Sequence, residues 1–122
     1  MTRFKSQGLR NTFKNARKGF RLVLKSEMNI RIHIVIAFCV LGLAYFLDFS
    51  SIEFCLLLFA IAIVIVSEML NTAIEFTLDS VFHNRYSRMV GMAKDISAGA
   101  VMFATFISIA VGLILFGKHF LA

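Results

Sequence analysis

Glu68, Asn71, Glu75 and Asp79 lie at helical spacing in the second half of an apolar stretch long enough to span a membrane. At about 100° per residue they share one helix face. Glu68 and Glu75 are seven residues apart, which is two turns, or roughly 10 Å along the axis. A charged side chain at membrane depth costs roughly 3 kcal/mol even on a lenient insertion scale. Three carboxylates on one stripe therefore need compensation, and cations supply it most directly. A stripe of this kind is a functional-site hypothesis from the outset.

Two chemistries fit. Carboxylates from different segments can hold a magnesium ion together with nucleotide phosphates, since that ion favours one or two carboxylates plus phosphate oxygens. A further carboxylate can take the proton of an attacking hydroxyl, and a lysine can neutralise phosphate charge. Lys94 and Asp95, at the start of a later apolar run, supply such groups. The competing chemistry is a cation or proton relay along the acidic residues. A transport path should carry polar groups through both halves of the membrane, and here all but Glu68 gather near one face. Purely structural polar contacts between helices are the third reading.

The elements that must position these groups are legible in the hydropathy. The chain has 122 residues, 59% of them hydrophobic, with 14 Phe and no Pro or Trp, and a mean hydropathy of +0.82. That is too apolar for an ordinary soluble domain of this size. The apolar runs are continuous and do not alternate, which excludes a β-barrel. The reading is an all-α membrane protein of one domain over residues 1–122. Membrane helices are expected at about 30–47, 52–78 and 93–116, with a short acidic turn around Asp48 and a polar loop over Asp79–Met92.

Residues 1–27 are basic, and their eight Lys and Arg interleave with apolar residues. Leu9, Phe13, Ala16, Phe20 and Val23 keep the rhythm of one helix face. This predicts an amphipathic helix on the membrane surface, anchored by anionic lipid. No cleavable leader is expected, and a nucleic-acid-binding role is not favoured. The Lys/Arg bias puts the N-terminus and the second loop in the cytoplasm. Glu27, Glu68, Asn71, Glu75, Asp79, Lys94 and Asp95 then converge on the cytoplasmic side.

Some features carry no chemistry. Gly112 to Lys118 mimics the glycine and lysine spacing of a phosphate-binding loop, but its interior is apolar and no strand precedes it. His119 also stands where Ser or Thr would hold magnesium. Cys39 and Cys55 read as small packing residues. The stripe Ala93, Ser97, Ala100 and Ala104 reads as close helix packing alone. His33 reads as an interfacial hydrogen-bonding residue and His83 as a solvated loop residue.

The run Glu68-Met69-Leu70-Asn71-Thr72-Ala73-Ile74-Glu75, then Asp79, then Ala93-Lys94-Asp95 and Ala98-Gly99-Ala100-Val101, resembles the bacterial diacylglycerol kinase family. These are small integral-membrane lipid kinases that include undecaprenol kinases. The resemblance covers about Phe13 to Phe116 and includes Glu27. It implies three membrane helices, a surface helix and a homotrimer with active sites shared between subunits. It implies ATP and Mg2+ as cofactors and a membrane lipid alcohol as substrate. Carried over, Glu68 matches the catalytic base, and Glu27 and Glu75 match the metal-coordinating carboxylates. Asn71, Asp79, Lys94 and Asp95 match motif positions around nucleotide and phosphates. Arg10, Arg17 and Lys18 lie in a segment that in the family helps bind nucleotide or lipid. Asn29-Ile30-Arg31-Ile32-His33 is similar to the undecaprenol kinase branch. The loop His83 to Arg88 departs from the family wording. The expectation is an ATP- and magnesium-dependent kinase of the bacterial cytoplasmic membrane, acting on undecaprenol or diacylglycerol. An ion- or proton-coupled transport subunit is the alternative.

Overall fold

The computed structural model describes residues 8–121. Arg3 and Lys5 of the basic segment lie outside the described residues, as does the terminal Ala122. The described residues form four α-helices, α1 (Leu9–Ser26), α2 (Met28–Phe46), α3 (Ser51–Val81) and α4 (Arg88–Leu121). Three of them, α2, α3 and α4, are long and apolar enough to cross a membrane. At 1.5 Å per residue the 31-residue α3 is about 46 Å long. A hydrocarbon core is about 30 Å thick, so α3 must project beyond it.

The helix ends differ from the hydropathy reading where polar residues extend a helix past its apolar run. Helix α3 continues to Val81, and α4 begins at Arg88 rather than near Ala93. The expected loop over Asp79–Met92 thus shrinks to residues 82–87. Ser87 starts α4, its Oγ accepting from the Val90 N–H at 3.2 Å. At the other end of that loop the Asn84 N–H donates to the Asp79 carbonyl at 3.0 Å. His83 and Asn84 take positive φ. This is a left-handed helix terminus, which asparagine tolerates better than most residues. Asp79, expected at the edge of a loop, is therefore held inside a helix.

The turn between α2 and α3 is set by its own side chains. Asp48 adopts φ 58, and the Asp48 and Phe49 N–H groups return to the Tyr45 and Ala44 carbonyls. Ser50 then caps α3. Its Oγ accepts from the Glu53 N–H at 3.2 Å, and Glu53 Oε1 accepts from the Ser50 N–H at 2.9 Å. Together these satisfy orphan groups on both sides of a very short connection.

A buried apolar cluster of Ala44, Phe49, Leu57 and Leu115 closes this hairpin end. Phe49 packs its ring on Phe116 at 5.0 Å and stacks on His119 at 4.5 Å. Glu53 meets His119 Nε2 at 2.9 Å, with Lys118 Nζ at 3.5 Å. The opposite end, where α1 meets α2, buries Val23, Ile30 and Val90 together with the polar side chains of Glu68, Thr72 and Ser97. Between the ends, large residues such as Phe38, Phe59 and Leu113 stay more than 70% exposed. An apolar belt of this size needs lipid or another chain to cover it.

Candidate active site

Each stripe residue is placed by a helix, and the site is assembled where α1, α2, α3 and α4 approach. Glu27 is the single residue between α1 and α2, in extended backbone conformation with φ -117 and ψ 111. It ends one helix and begins the next. Its side chain makes no capping hydrogen bond, so the carboxylate is left for other work. A carboxylate at that place is favoured by the partial positive charge at the start of α2.

Glu27 lines a pocket of about 210 Å³ with Glu68, Asn71, Asn29, Thr72 and Val101. Glu68 is 8% exposed. Its Oε1 lies 3.0 Å from His33 Nε2 on α2. Its Oε2 is buried and has no hydrogen-bond partner among the described residues. A buried carboxylate oxygen left alone is costly. An atom in that condition suits a proton arriving from a substrate.

Asn71 is one turn further along and is held at both ends. Its Nδ2 donates to Glu75 Oε1 at 3.4 Å, and its Oδ1 accepts from Ser97 Oγ on α4. Ser97 is therefore more than a packing residue, which corrects the expectation from its place in the small-residue stripe. Its hydroxyl fixes which way the Asn71 amide faces. Asp79 Oδ1 meets Lys94 Nζ at 2.7 Å, again joining α3 to α4. Both side chains are more than a third exposed. Such a pair adds little stability, and its ammonium can turn to an incoming phosphate.

The structure therefore brings Glu27, Glu68 and Asn71 to one pocket and attaches Glu75 through Asn71. It sets Asp79 and Lys94 beyond them as an ion pair. Glu75 itself is not part of the pocket wall. Asp95 is exposed and joins no hydrogen bond or ion pair among the described residues. Arg10 and Arg17 line a broad open hollow on α1 with Asn11, Phe13 and Lys14. Lys18 is exposed on the same helix.

The donor set suits a hard divalent cation. Among the described residues no three His, Cys, Asp or Glu side chains are grouped as a ready-made metal site. Magnesium does not require one, because it keeps waters and takes phosphate oxygens alongside one or two carboxylates. The uncapped carboxylate of Glu27 and the amide-anchored carboxylate of Glu75 fit that demand.

Two further features escaped the sequence, beside the role of Ser97. His33 is a partner of Glu68, and a signal for it existed. Counting outward from the turn at residues 47–50 sets His33 level with residue 64, one turn short of Glu68. The second is the Glu53–His119–Lys118 cluster at the hairpin end, so the far half is not bare of polar groups. Residues 54–66 of α3 between the two clusters are nonetheless wholly apolar apart from Cys55. No chain of ionisable groups on α3 links one end to the other.

The chain matches the family description "Prokaryotic diacylglycerol kinase" over residues 14–116. It is 32% identical over 105 residues to the undecaprenol kinase of Bacillus subtilis, covering 86% of this chain and 85% of that one. It is 31% identical over 103 residues to the diacylglycerol kinase of Escherichia coli K12, covering 84% of each. A diacylglycerol kinase of Synechocystis is 31% identical over 101 residues, with 83% of this chain and 58% of that protein covered.

Proposed function

This chain belongs to the prokaryotic diacylglycerol kinase family of lipid kinases, and from that premise we propose that it phosphorylates a membrane lipid alcohol with ATP and Mg2+. The reading rests above all on one observation. Among the described residues, a buried glutamate with an unpartnered oxygen shares a pocket with a second carboxylate that no cap or ion pair consumes.

In the proposed reaction the lipid hydroxyl oxygen bonds to the γ-phosphorus of ATP. The bond from that phosphorus to the departing oxygen of ADP breaks, and the hydroxyl proton passes to Glu68 Oε2. Magnesium, when bound, would neutralise phosphate charge and be held by Glu27 and Glu75. Lys94 would leave Asp79 for a phosphate oxygen, Asn71 would hold Glu75 in place, and Asp95 would serve the nucleotide. Catalysis is then mostly positioning and charge neutralisation. The apolar interval on α3 favours this over an ion- or proton-coupled transport role.

The N-terminus and the site lie on the cytoplasmic side of the bacterial inner membrane in this reading, supported by the Lys/Arg bias. Helix α1 rests on the membrane surface, supported by exposed Leu9 and Phe13 beside its basic residues. The assembly is a homotrimer with shared sites. Family resemblance supports this, together with the isolation of Asp95 and the offset of Glu75 within one chain.

Undecaprenol is favoured over diacylglycerol, on the stretch Asn29 to His33. Both lipids present one hydroxyl at the interface, and apolar tails are discriminated by only about 1–3 kcal/mol per well-placed difference. The test is phosphate transfer by purified protein, with both lipids in the same bilayer. We expect transfer to both and a higher kcat/KM for undecaprenol. A preference for diacylglycerol would overturn the acceptor assignment. No transfer to either by folded protein would overturn the kinase mechanism.

A further inference from the structure

The pairing of His33 with Glu68 has no part in the scheme so far. His33 stands between two cavities of opposite character. On one side its Nε2 touches Glu68, which lines the polar pocket with Glu27 and Asn71. On the other its ring helps line an apolar groove of about 320 Å³ between α2, α3 and α4, with Val40, Leu57, Ile61 and Phe116 along its length.

We propose that His33 is a positioning residue that holds the Glu68 carboxylate in one orientation, with Oε1 engaged and Oε2 presented to the lipid hydroxyl. The inference rests on the reading of Glu68 as the base. An ionised carboxylate only accepts hydrogen bonds, so the 3.0 Å contact requires His33 Nε2 to carry the hydrogen. A glutamate's terminal torsion is otherwise broad and roughly two-fold. One donor on Oε1 removes that freedom and leaves the second oxygen as the proton acceptor. The bond survives the reaction, because a glutamic acid protonated on Oε2 still accepts at Oε1. A base oriented by a third group is a recurring catalytic arrangement.

The residue is placed to do this without touching the nucleotide. It projects from α2, whereas Asn71, Glu75, Asp79 and Lys94 are joined across α3 and α4. Loss of His33 should therefore misorient the base and leave MgATP binding intact.

The test compares His33→Leu with His33→Gln, whose side-chain amide nitrogen reaches to about the place of Nε2. His33→Leu should lower kcat about 10- to 100-fold, the scale of a misplaced catalytic group, with KM for MgATP within about threefold of wild type. His33→Gln should recover most of the loss. In a Glu68→Gln background, His33→Leu should cost little more, because the group it positions has already gone. If His33→Leu does not assemble, His33→Asn replaces it, since its amide stops short of Glu68 and should fall well below His33→Gln. Unchanged kcat in His33→Leu, equal losses in the Leu and Gln variants, or full additivity with Glu68→Gln would each overturn the proposal. An active Glu68→Gln enzyme would overturn the base assignment itself. An inactive Glu68→Gln enzyme with a fully active His33→Leu would overturn only the positioning role.

Discussion

Glu68 combines two properties that rarely coincide, burial and an oxygen without a partner among the described residues. Glu68→Gln keeps the volume and the contact to His33 through its amide oxygen, but removes the proposed proton acceptor. It should lower kcat by about 10² or more, the range for general bases, while MgATP still binds. Stopped turnover with retained nucleotide affinity, measured by binding and by initial rates, is the expected pair of results. Near-wild-type turnover would remove Glu68 from the mechanism. Glu27 and Glu75 call for a different measurement. Glu27→Gln and Glu75→Gln should each raise the magnesium concentration needed for half-maximal rate, because an amide is a weaker ligand than a carboxylate. A titration curve identical to wild type in both variants would assign these residues elsewhere.

At the scale of elements, the two ends of the helix bundle are built differently. The hairpin end is closed by reciprocal capping of Ser50 and Glu53, by aromatic packing of Phe49, and by the contacts of His119 and Lys118. Glu53 thus ties the start of α3 to the end of α4. Glu53→Ala removes both the cap and the tie, whereas Glu53→Gln keeps an acceptor for the Ser50 N–H. Melting in detergent should fall by several degrees for the alanine variant and by less for the glutamine variant, on the scale of a lost cap. Turnover well below the melting range should hardly change, since the site lies at the other end of α3. Equal melting temperatures in all three proteins would show that the cluster is decorative. At the site end, α3 and α4 are joined instead by Ser97 with Asn71 and by Lys94 with Asp79. Polar links of that kind can exchange partners when phosphates arrive, which an apolar core cannot.

The whole molecule leaves a question of completeness. One chain gathers Glu27, Glu68 and Asn71, yet Asp95 stands apart and much of the apolar belt is uncovered. Assembly would answer both needs. If one ion is held by Glu27 of one subunit and Glu75 of another, Glu27→Gln and Glu75→Gln chains, assayed at a magnesium concentration that leaves each inactive alone, should partly restore activity when co-assembled. Recovery should follow the mixing ratio and peak near equal amounts. No recovery in mixed oligomers of confirmed composition would place the whole site within a single chain.

The amino-acid sequence by itself determined the number and type of the membrane elements. Three apolar runs too continuous for strands require three membrane-length helices, because in lipid the backbone must satisfy its own hydrogen bonds. The spacing of Glu68, Asn71, Glu75 and Asp79 places them on one face, because helical periodicity is local. The helix ends near Val81 and Arg88 are not legible in this way, since polar residues projecting past the bilayer leave no hydropathy signal. Nor are the roles of His33, Ser97 and His119. Each acts through a partner on another helix, 35, 26 and 66 residues away in the chain. Periodicity reports which residues share a face of one helix. Which face meets which neighbour, and at what height, follows from packing between helices, and only the tertiary structure decided that.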